Sequence, residues 1–320
     1  MQYKLKKIRS DASFREFFRL KKGNKTSIIV TAKKERYRNL IAYSAINKFL
    51  RRKGIHTPKT ISQHFSEGIM EIEDFGDNTL LHTIRKSKNI FPYYKKSINV
   101  ILKLQKIKPI NKIKIKLNRN LKLNNYNIKN LHKDSDLFLN WYLPGVLGKR
   151  KSKKFKKKIK IELNKLYKQI YFKNKFIVHR DFHVSNIMPV KNKLGIIDTQ
   201  DVILGNPMYD VASLIDDVRI QIPLTIKNKI FQYYLKKSSL RKNIYFLKND
   251  FDILSIQRNL KILGIFYRLD IRDKKPQYLK YLPYTWKLIE LRMKNKIFKN
   301  LEKILLDAVS KKLRKKRNFK

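Results

Sequence analysis

Between residues 176 and 210, three short apolar runs alternate with polar residues at fixed steps. Phe176, Ile177 and Val178 lead into His179-Arg180-Asp181. Asn186 comes five residues later and opens a second run at Ile187-Met188. A Lys191-Asn192-Lys193 turn then leads to Leu194–Ile197, which delivers Asp198. Each run has the length and apolarity of a strand, and the turn joins the last two as a hairpin. A hairpin of this kind presents Asp181, Asn186 and Asp198 at one end of a small sheet. The plain alternative is a buried hairpin with solvated Asp and Asn at its turns. The five-residue step to Asn186, with a second Asp twelve residues further on, argues against it.

The distribution of acid strengthens that reading. Six of the chain's 24 Asp and Glu fall within residues 181–217, about twice a uniform share. Carboxylates retained in so basic a chain have metal or hydrogen bonds to satisfy. One carboxylate that orients and deprotonates a hydroxyl, beside two oxygen ligands for magnesium, is the set that phosphoryl transfer requires.

A net charge of +53 suggests nucleic acid as a partner. The lysines, however, are spread along the whole chain with Ile, Asn, Tyr and Phe, as in a compositional drift. No specific nucleic-acid partner is expected. Two runs stand out, Lys149–Lys160 and the tail Lys311–Lys320. The first leads into an amphipathic helix with Ile159, Leu163, Leu166 and Ile170 on one face, so its lysines read as solvated face and loop. No run of 18 apolar residues exists, so no membrane span is indicated. The first residues lack the apolar core of a secretory signal, and there are no cysteines. A cytoplasmic monomer is the expectation.

At 320 residues the chain has room for two lobes. Residues 1–75 read as a small α+β lobe. Phe14–Leu20 and Ser27–Ala32 pair across a turn at Lys21–Asn24, where Gly23 supplies the flexible position. Tyr37–Lys53 has helical periodicity, with Leu40, Ile41, Ala45, Ile46, Phe49 and Leu50 inward and Gly54 closing it. Ile55–Ser62 and Gly68–Ile72 read as strands, and residues 73–76 as the connector. Residues 76–310 form a mostly helical lobe and 311–320 a basic tail. In this lobe Asn206-Pro207 starts a helix, with Val211, Leu214, Ile215 and Val218 inward. Further helices are expected over about 251–269 and from 284 to about 309.

The order of small β-rich lobe, connector and helical lobe with a hairpin is that of the protein-kinase-like fold. The chain resembles the aminoglycoside-phosphotransferase superfamily and, within it, the bacterial N-acetylmuramate/N-acetylglucosamine anomeric kinases. The resemblance rests on Ser10–Arg15, Glu73–Asp77, Phe138–Leu143, His179–Asn186, Asp198–Asp210 and Gln257–Phe266, in order over most of the chain. It implies an α+β, two-lobed, ATP- and magnesium-dependent kinase acting on a sugar hydroxyl in cell-wall sugar recycling. The rivals are a kinase of the same fold acting on an aminoglycoside or another alcohol, and a noncatalytic basic binding protein on a kinase-like scaffold. An aminoglycoside is polycationic, and this chain offers few acids to receive it.

Carried over by position, the resemblance makes Asp181 the catalytic base and Asn186 and Asp198 the metal ligands. Ser13 and Arg15 cover the phosphates, without the glycines of a Gly-rich loop. Arg15 suits phosphate by charge and geometry; a surface arginine on a strand is the competing reading. Glu73 and Phe75 contact adenine through the backbone. Lys33 is the best candidate for an ATP-positioning lysine, but residues 36–66 contain no acid, leaving only Glu35 as a partner. The acceptor set is His183, Asp201, Trp141 and Arg258. Three of these have a plain alternative: a structural histidine at His183, core aromatics at Trp141 and Tyr142, and solvent-exposed arginines at Arg258 and Arg268. A carboxylate on the acceptor gives either arginine a partner.

Overall fold

In the computed structural model the described residues are 3–8, 15–33, 37–115 and 120–316. They divide into two compact units, residues 1–124 with 176–204, and residues 125–175 with 205–320.

The first unit is built on a five-stranded antiparallel sheet of β1 (Tyr3–Ile8), β2 (Glu16–Lys22), β3 (Lys25–Thr31), β4 (Thr60–His64) and β5 (Ile69–Glu73), in the order β1-β2-β3-β5-β4. Lys22 pairs with Lys25, so the β2–β3 turn is Gly23-Asn24, with Gly23 at φ +56°. A left-handed residue there suits a tight hairpin and favours glycine. Ile28 and Val30 of β3 lie opposite Ile72 and Met70 of β5. These four pack with Leu40 and Tyr43 of helix α1 (Tyr37–Arg52) into one buried cluster. Each such side chain contributes about 1.5–3 kcal/mol by leaving water. The inward face of α1 is Leu40, Tyr43, Ile46, Asn47 and Leu50, while the expected Ile41, Ala45 and Phe49 are half-buried. Gly54 takes φ +76° and donates to the Arg51 carbonyl, closing the helix as expected.

Two expectations change here. β1 was not anticipated from the sequence, because four lysine-rich edge residues bury no apolar face. The strand expected over 55–62 begins only at Thr60. Pro58 has no N–H for a ladder. Two nearby groups are turned toward α1 instead: Ile55 N–H donates to Leu50 O (3.0 Å) and Thr57 Oγ1 to Asn47 O (3.0 Å). The unit continues through helices α2 (Leu80–Arg85) and α3 (Phe91–Lys106) and the short pair β6 (Lys112–Lys114) and β7 (Asn120–Lys122). It is completed by β8 (Phe176–Val178), β9 (Ile187–Val190), β10 (Lys193–Ile196) and β11 (Ile203–Gly205). β9 pairs with β10 and β8 with β11.

The second unit is helical: α4 (Ile128–Leu137), a π-helical turn (Phe138–Tyr142), α5 (Leu143–Leu147), α6 (Lys149–Lys168), α7 (Met208–Ile215), α8 (Leu224–Lys237), α9 (Ile244–Ile271), α10 (Leu282–Met293), α11 (Lys299–Ala308) and α12 (Lys311–Lys315). α9 is its axis, with α4, the π turn, α7 and α10 packed on it. A Cβ on Gly264 would fall 2.2 Å from the Leu137 carbonyl carbon, so only glycine lets α9 approach the π turn this closely. Asn206 caps α7 through its side chain, which accepts from Met208 N–H at 2.8 Å. Residues 317–320 of the basic tail lie outside the described residues. Among the described residues no helix is long and apolar enough to cross a membrane.

Two helical boundaries differ from expectation. The basic run 149–160 is itself the start of α6 rather than partly loop, and Ile170 lies beyond the helix end. The helix expected from 284 to 309 breaks after Met293, where Asn295 caps the next turn (3.3 Å to Ile297 N–H). The Asn295 amide also donates to Asn249 (3.0 Å) and Asp252 (3.1 Å) of α9. That break serves a buried polar network. Asp216 accepts from Arg292 Nε (2.8 Å) and Nη2 (3.0 Å), Lys227 Nζ (2.9 Å) and Ser255 Oγ (2.6 Å).

Asp252 lies at the edge of this network, 3.8 Å from Arg292 Nη1. Burial pushes its carboxyl up to about 6 from an ordinary 3.8, outweighing Asn295 and Arg292. A carboxyl whose folded pKa is raised binds protons more tightly when folded, so it costs stability as pH rises from about 4 through 6. Asp252→Asn is therefore expected to be the more stable protein at pH 8, by on the order of 2 kcal/mol, and to match the wild type near pH 4. Urea unfolding at the two pH values checks this. A variant less stable at pH 8 would mean that the contact to Arg292 outweighs the burial cost.

Candidate active site

β8 ends at Val178 and the chain turns through His179-Arg180-Asp181. Arg180 holds φ +74° and Asp198, at the far end of the hairpin, φ +65°. Left-handed backbone at two non-glycine residues is strain of the kind that collects at functional sites. The turn is held by its own backbone: Asp181 O accepts from His183 N–H (3.0 Å) and from Asn186 Nδ2 (3.0 Å). The Asn186 side chain thus folds back onto the turn with its nitrogen, leaving Oδ1 as its acceptor end. Asn186 O accepts from Ile197 N–H (3.0 Å), which sets Asn186 and Asp198 at the same end of β9–β10. The Lys191 turn, φ +52°, lies at the other end. Buried His179 bonds through Nε2 to Ile197 O (3.0 Å), tying the turn after β8 to the strand that delivers Asp198. His183 is buried too, its Nε2 3.3 Å from Asn186 Nδ2.

The hairpin is anchored to the N-terminal sheet and to α1. Ile196 N–H donates to His56 O (2.8 Å), and Thr199 Oγ1 to Asn47 Oδ1 (2.6 Å). Arg15, immediately before β2, ion-pairs with Asp198 through Nη2 and donates from Nη1 to Gln200 Oε1 (3.1 Å). Gln200 Nε2 in turn donates to Asp198 Oδ1 (3.1 Å). The Arg15 guanidinium lies over the rings of Phe17 (5.4 Å) and Tyr43 (5.7 Å). It is 5% exposed, which replaces the surface-arginine reading with a buried cation at the candidate metal ligand. Asn47, Thr199 and Gln200 were not singled out from the sequence. Asn47 left a signal, a polar residue on the apolar face of α1 where an acid was sought and not found.

The other candidates separate. Ser13 and Glu35 lie outside the described residues. Lys33 is exposed, beyond the end of β3. The Glu73 carboxylate accepts from Lys59 N–H (3.1 Å) and Arg51 (3.3 Å). Asp74 takes Arg19 in two bonds (2.6 and 3.1 Å) and the Gly76 N–H (2.8 Å), shaping the segment after β5. Phe75 packs on His56 (4.8 Å between ring centroids) and over β10, where a Cβ on Gly195 would fall 2.5 Å from its ring. Asp201 is exposed, 4.0 Å from Arg180. In the second unit, Trp141 is half-buried within the π turn, while Tyr142 is core, its hydroxyl accepting from Trp286 (2.8 Å). Solvent exposure of the two arginines on α9 does not hold: Arg258 is buried and Arg268 half-buried, because α9 is covered by helices along its central turns.

Residues 4–242 match the phosphotransferase enzyme family. The chain belongs to that family. The phosphotransferase is 26% identical over 288 residues to the N-acetylmuramate/N-acetylglucosamine kinase of Pseudomonas aeruginosa, covering 88% of this chain and 81% of that one. It is 24% identical to the protein of the same name from Neisseria meningitidis, covering 86% and 81%. Among solved structures it is similar to the aminoglycoside phosphotransferase APH(4)-Ia (TM-score 0.59, 11% identity, 90% of this chain and 93% of that chain). It is similar to the choline kinase LicA from Streptococcus pneumoniae to the same degree (TM-score 0.59, 14% identity, 90% and 93%). The protein-kinase-like α+β fold expected from the sequence is therefore the fold of this phosphotransferase.

Proposed function

We propose that this phosphotransferase transfers the terminal phosphoryl group of ATP to the anomeric hydroxyl of N-acetylmuramate or N-acetylglucosamine. The observation that carries the reading is the gathering of Asp181, Asn186, Asp198 and Arg15 around one end of a strained hairpin. The activity named for the relatives supports the sugar.

In this reading Asp181 orients the acceptor hydroxyl and takes its proton. Asn186 Oδ1 and the Asp198 carboxylate are hard oxygen donors, as magnesium prefers, and one carboxylate is within its usual protein complement. Magnesium held there would neutralise phosphate charge. Arg15 is the cation best placed for phosphate, since it is buried beside Asp198 whereas Lys33 is exposed. Asn47 and Thr199 hold the Asp198 turn against α1. Glu73 and Phe75 offer backbone groups to adenine. Of the acceptor candidates, His183 and Asp201 belong to the unit that carries Asp181.

A panel of acceptors with ATP and magnesium tests the assignment, read as ADP release. Turnover is expected with the two N-acetylated amino sugars and not with aminoglycosides or choline. Turnover confined to an aminoglycoside would replace the sugar by another alcohol, and no turnover with any acceptor would favour a binding protein.

A further inference from the structure

Asp198 is held on its two sides by different elements of the first unit. Before it, Ile197 belongs to the hairpin: its N–H donates to Asn186 O (3.0 Å), and its carbonyl bonds His179 Nε2 (3.0 Å). After it the chain turns through Thr199–Asp201, and this turn packs on α1. Thr199 is fully buried, and its Oγ1 donates to Asn47 Oδ1 at 2.6 Å. The Asp198 side chain between these anchors keeps 34% exposure. Asp198 is thus fixed through its neighbours while its carboxylate stays open to a ligand.

Asn47 is a poor choice for stability alone. It stands on the inward face of α1 with Leu40, Tyr43, Ile46 and Leu50, and is 1% exposed. Asparagine is a weak helix former, and an amide costs free energy to bury unless it is hydrogen-bonded. The Asn47 oxygen has Thr199, but its Nδ2 is buried without a hydrogen-bond partner. The Asn47 backbone carbonyl accepts from Thr57 Oγ1 (3.0 Å) whatever side chain stands there. What the asparagine side chain adds is its hold on Thr199. Asp198, at φ +65°, gives that hold a purpose. Left-handed backbone at a non-glycine residue persists only where the surroundings over-determine it.

We infer that Asn47, acting through Thr199, is a positioning residue for Asp198, so that α1 sets how tightly the enzyme holds magnesium with its nucleotide. The inference rests on the reading of Asp198 as a magnesium ligand and deepens it. Neither Asn47 nor Thr199 has to touch the metal. Arg15 and Gln200 act on the carboxylate itself, whereas Asn47 and Thr199 act on the backbone that carries it. Groups that orient a metal ligand from behind are worth about 10–100-fold in metal affinity or activity.

The test removes this hydrogen bond while leaving the core filled. In the double variant Asn47→Leu with Thr199→Val, both partners become apolar groups of similar shape, a change that can be nearly neutral for stability. Binding of Mn2+ to the enzyme with ADP is measured by electron paramagnetic resonance, and urea unfolding follows the fold. The double variant is expected to unfold at about the wild-type urea concentration and to bind Mn2+ at least about tenfold more weakly. Thr199→Ser keeps the hydroxyl and is expected to bind Mn2+ more tightly than Thr199→Val.

Wild-type Mn2+ affinity in the folded double variant overturns the inference. So does a loss of affinity that runs with a loss of stability and is not recovered in Thr199→Ser, since the pair would then be structural. If the double variant does not fold, Thr199→Val and Thr199→Ser decide, and equal Mn2+ affinity in the two overturns the assignment. The two readings fail separately. Mn2+ binding unchanged in Asp198→Ala defeats Asp198 as a metal ligand, and the inference with it. Binding lost in Asp198→Ala but kept in the double variant defeats Asn47 alone.

Discussion

Asp181→Asn is expected to lower turnover by about 10² or more, the usual scale for loss of a general base. The substitution keeps the shape of the side chain and removes its capacity to take a proton. The turn survives it, because what holds His183 N–H and the Asn186 amide is the Asp181 backbone carbonyl. Asp198, Asn186 and Arg15 keep their partners as well. Calorimetry on ATP with magnesium is therefore expected to give wild-type affinity alongside the collapse in kcat. Near-wild-type turnover would remove Asp181 from the chemistry, and lost nucleotide affinity would make its role structural.

The largest effect on stability is expected at Asp216. Burial alone would push this carboxyl up, but the charges of Lys227 and Arg292, with hydrogen bonds from Arg292 and Ser255, hold it well below the usual carboxylate range. Removing it leaves Lys227 without its counterion, Arg292 with only the more distant Asp252, and a buried serine hydroxyl without an acceptor. Breaking a buried pair from one side costs roughly 3–5 kcal/mol. Asp216→Ala is expected to lose that much in urea unfolding at neutral pH. The sign with pH is opposite to that of Asp252. A depressed folded pKa contributes stability above the unfolded value near 4, and the contribution is lost as pH falls. The gap between wild type and Asp216→Ala is thus widest at neutral pH and narrows in acid. A loss below about 1 kcal/mol would show the cations re-paired or hydrated.

Local features were legible in advance. The hairpin, the common end shared by Asp181, Asn186 and Asp198, the Gly23 turn, the Gly54 stop and the Asn206 cap each follow from a few adjacent residues. What escaped was set by distant partners. Arg15 meets Asp198 across 183 positions, and nothing near Arg15 distinguishes it from the many other cations of the chain. Asn47 gains meaning only from Thr199. α9 carries no helical stripe because helices cover it on several sides, so Arg258 could not be placed inward by periodicity. The lysine run 149–160 reads as loop until its apolar turns, and β1 hides among lysines because an edge strand need not bury a face.

The central claim is transfer to position 1 of the sugar, and phosphorus NMR of the product tests it most directly. ATP, magnesium and the enzyme are incubated with N-acetylmuramate and N-acetylglucosamine, and in parallel with their 1-O-methyl glycosides. Each free sugar is expected to give a sugar 1-phosphate, with phosphorus coupled to the anomeric proton, and neither glycoside a product. A phosphorylated methyl glycoside would put the phosphate on another hydroxyl and contradict transfer to position 1.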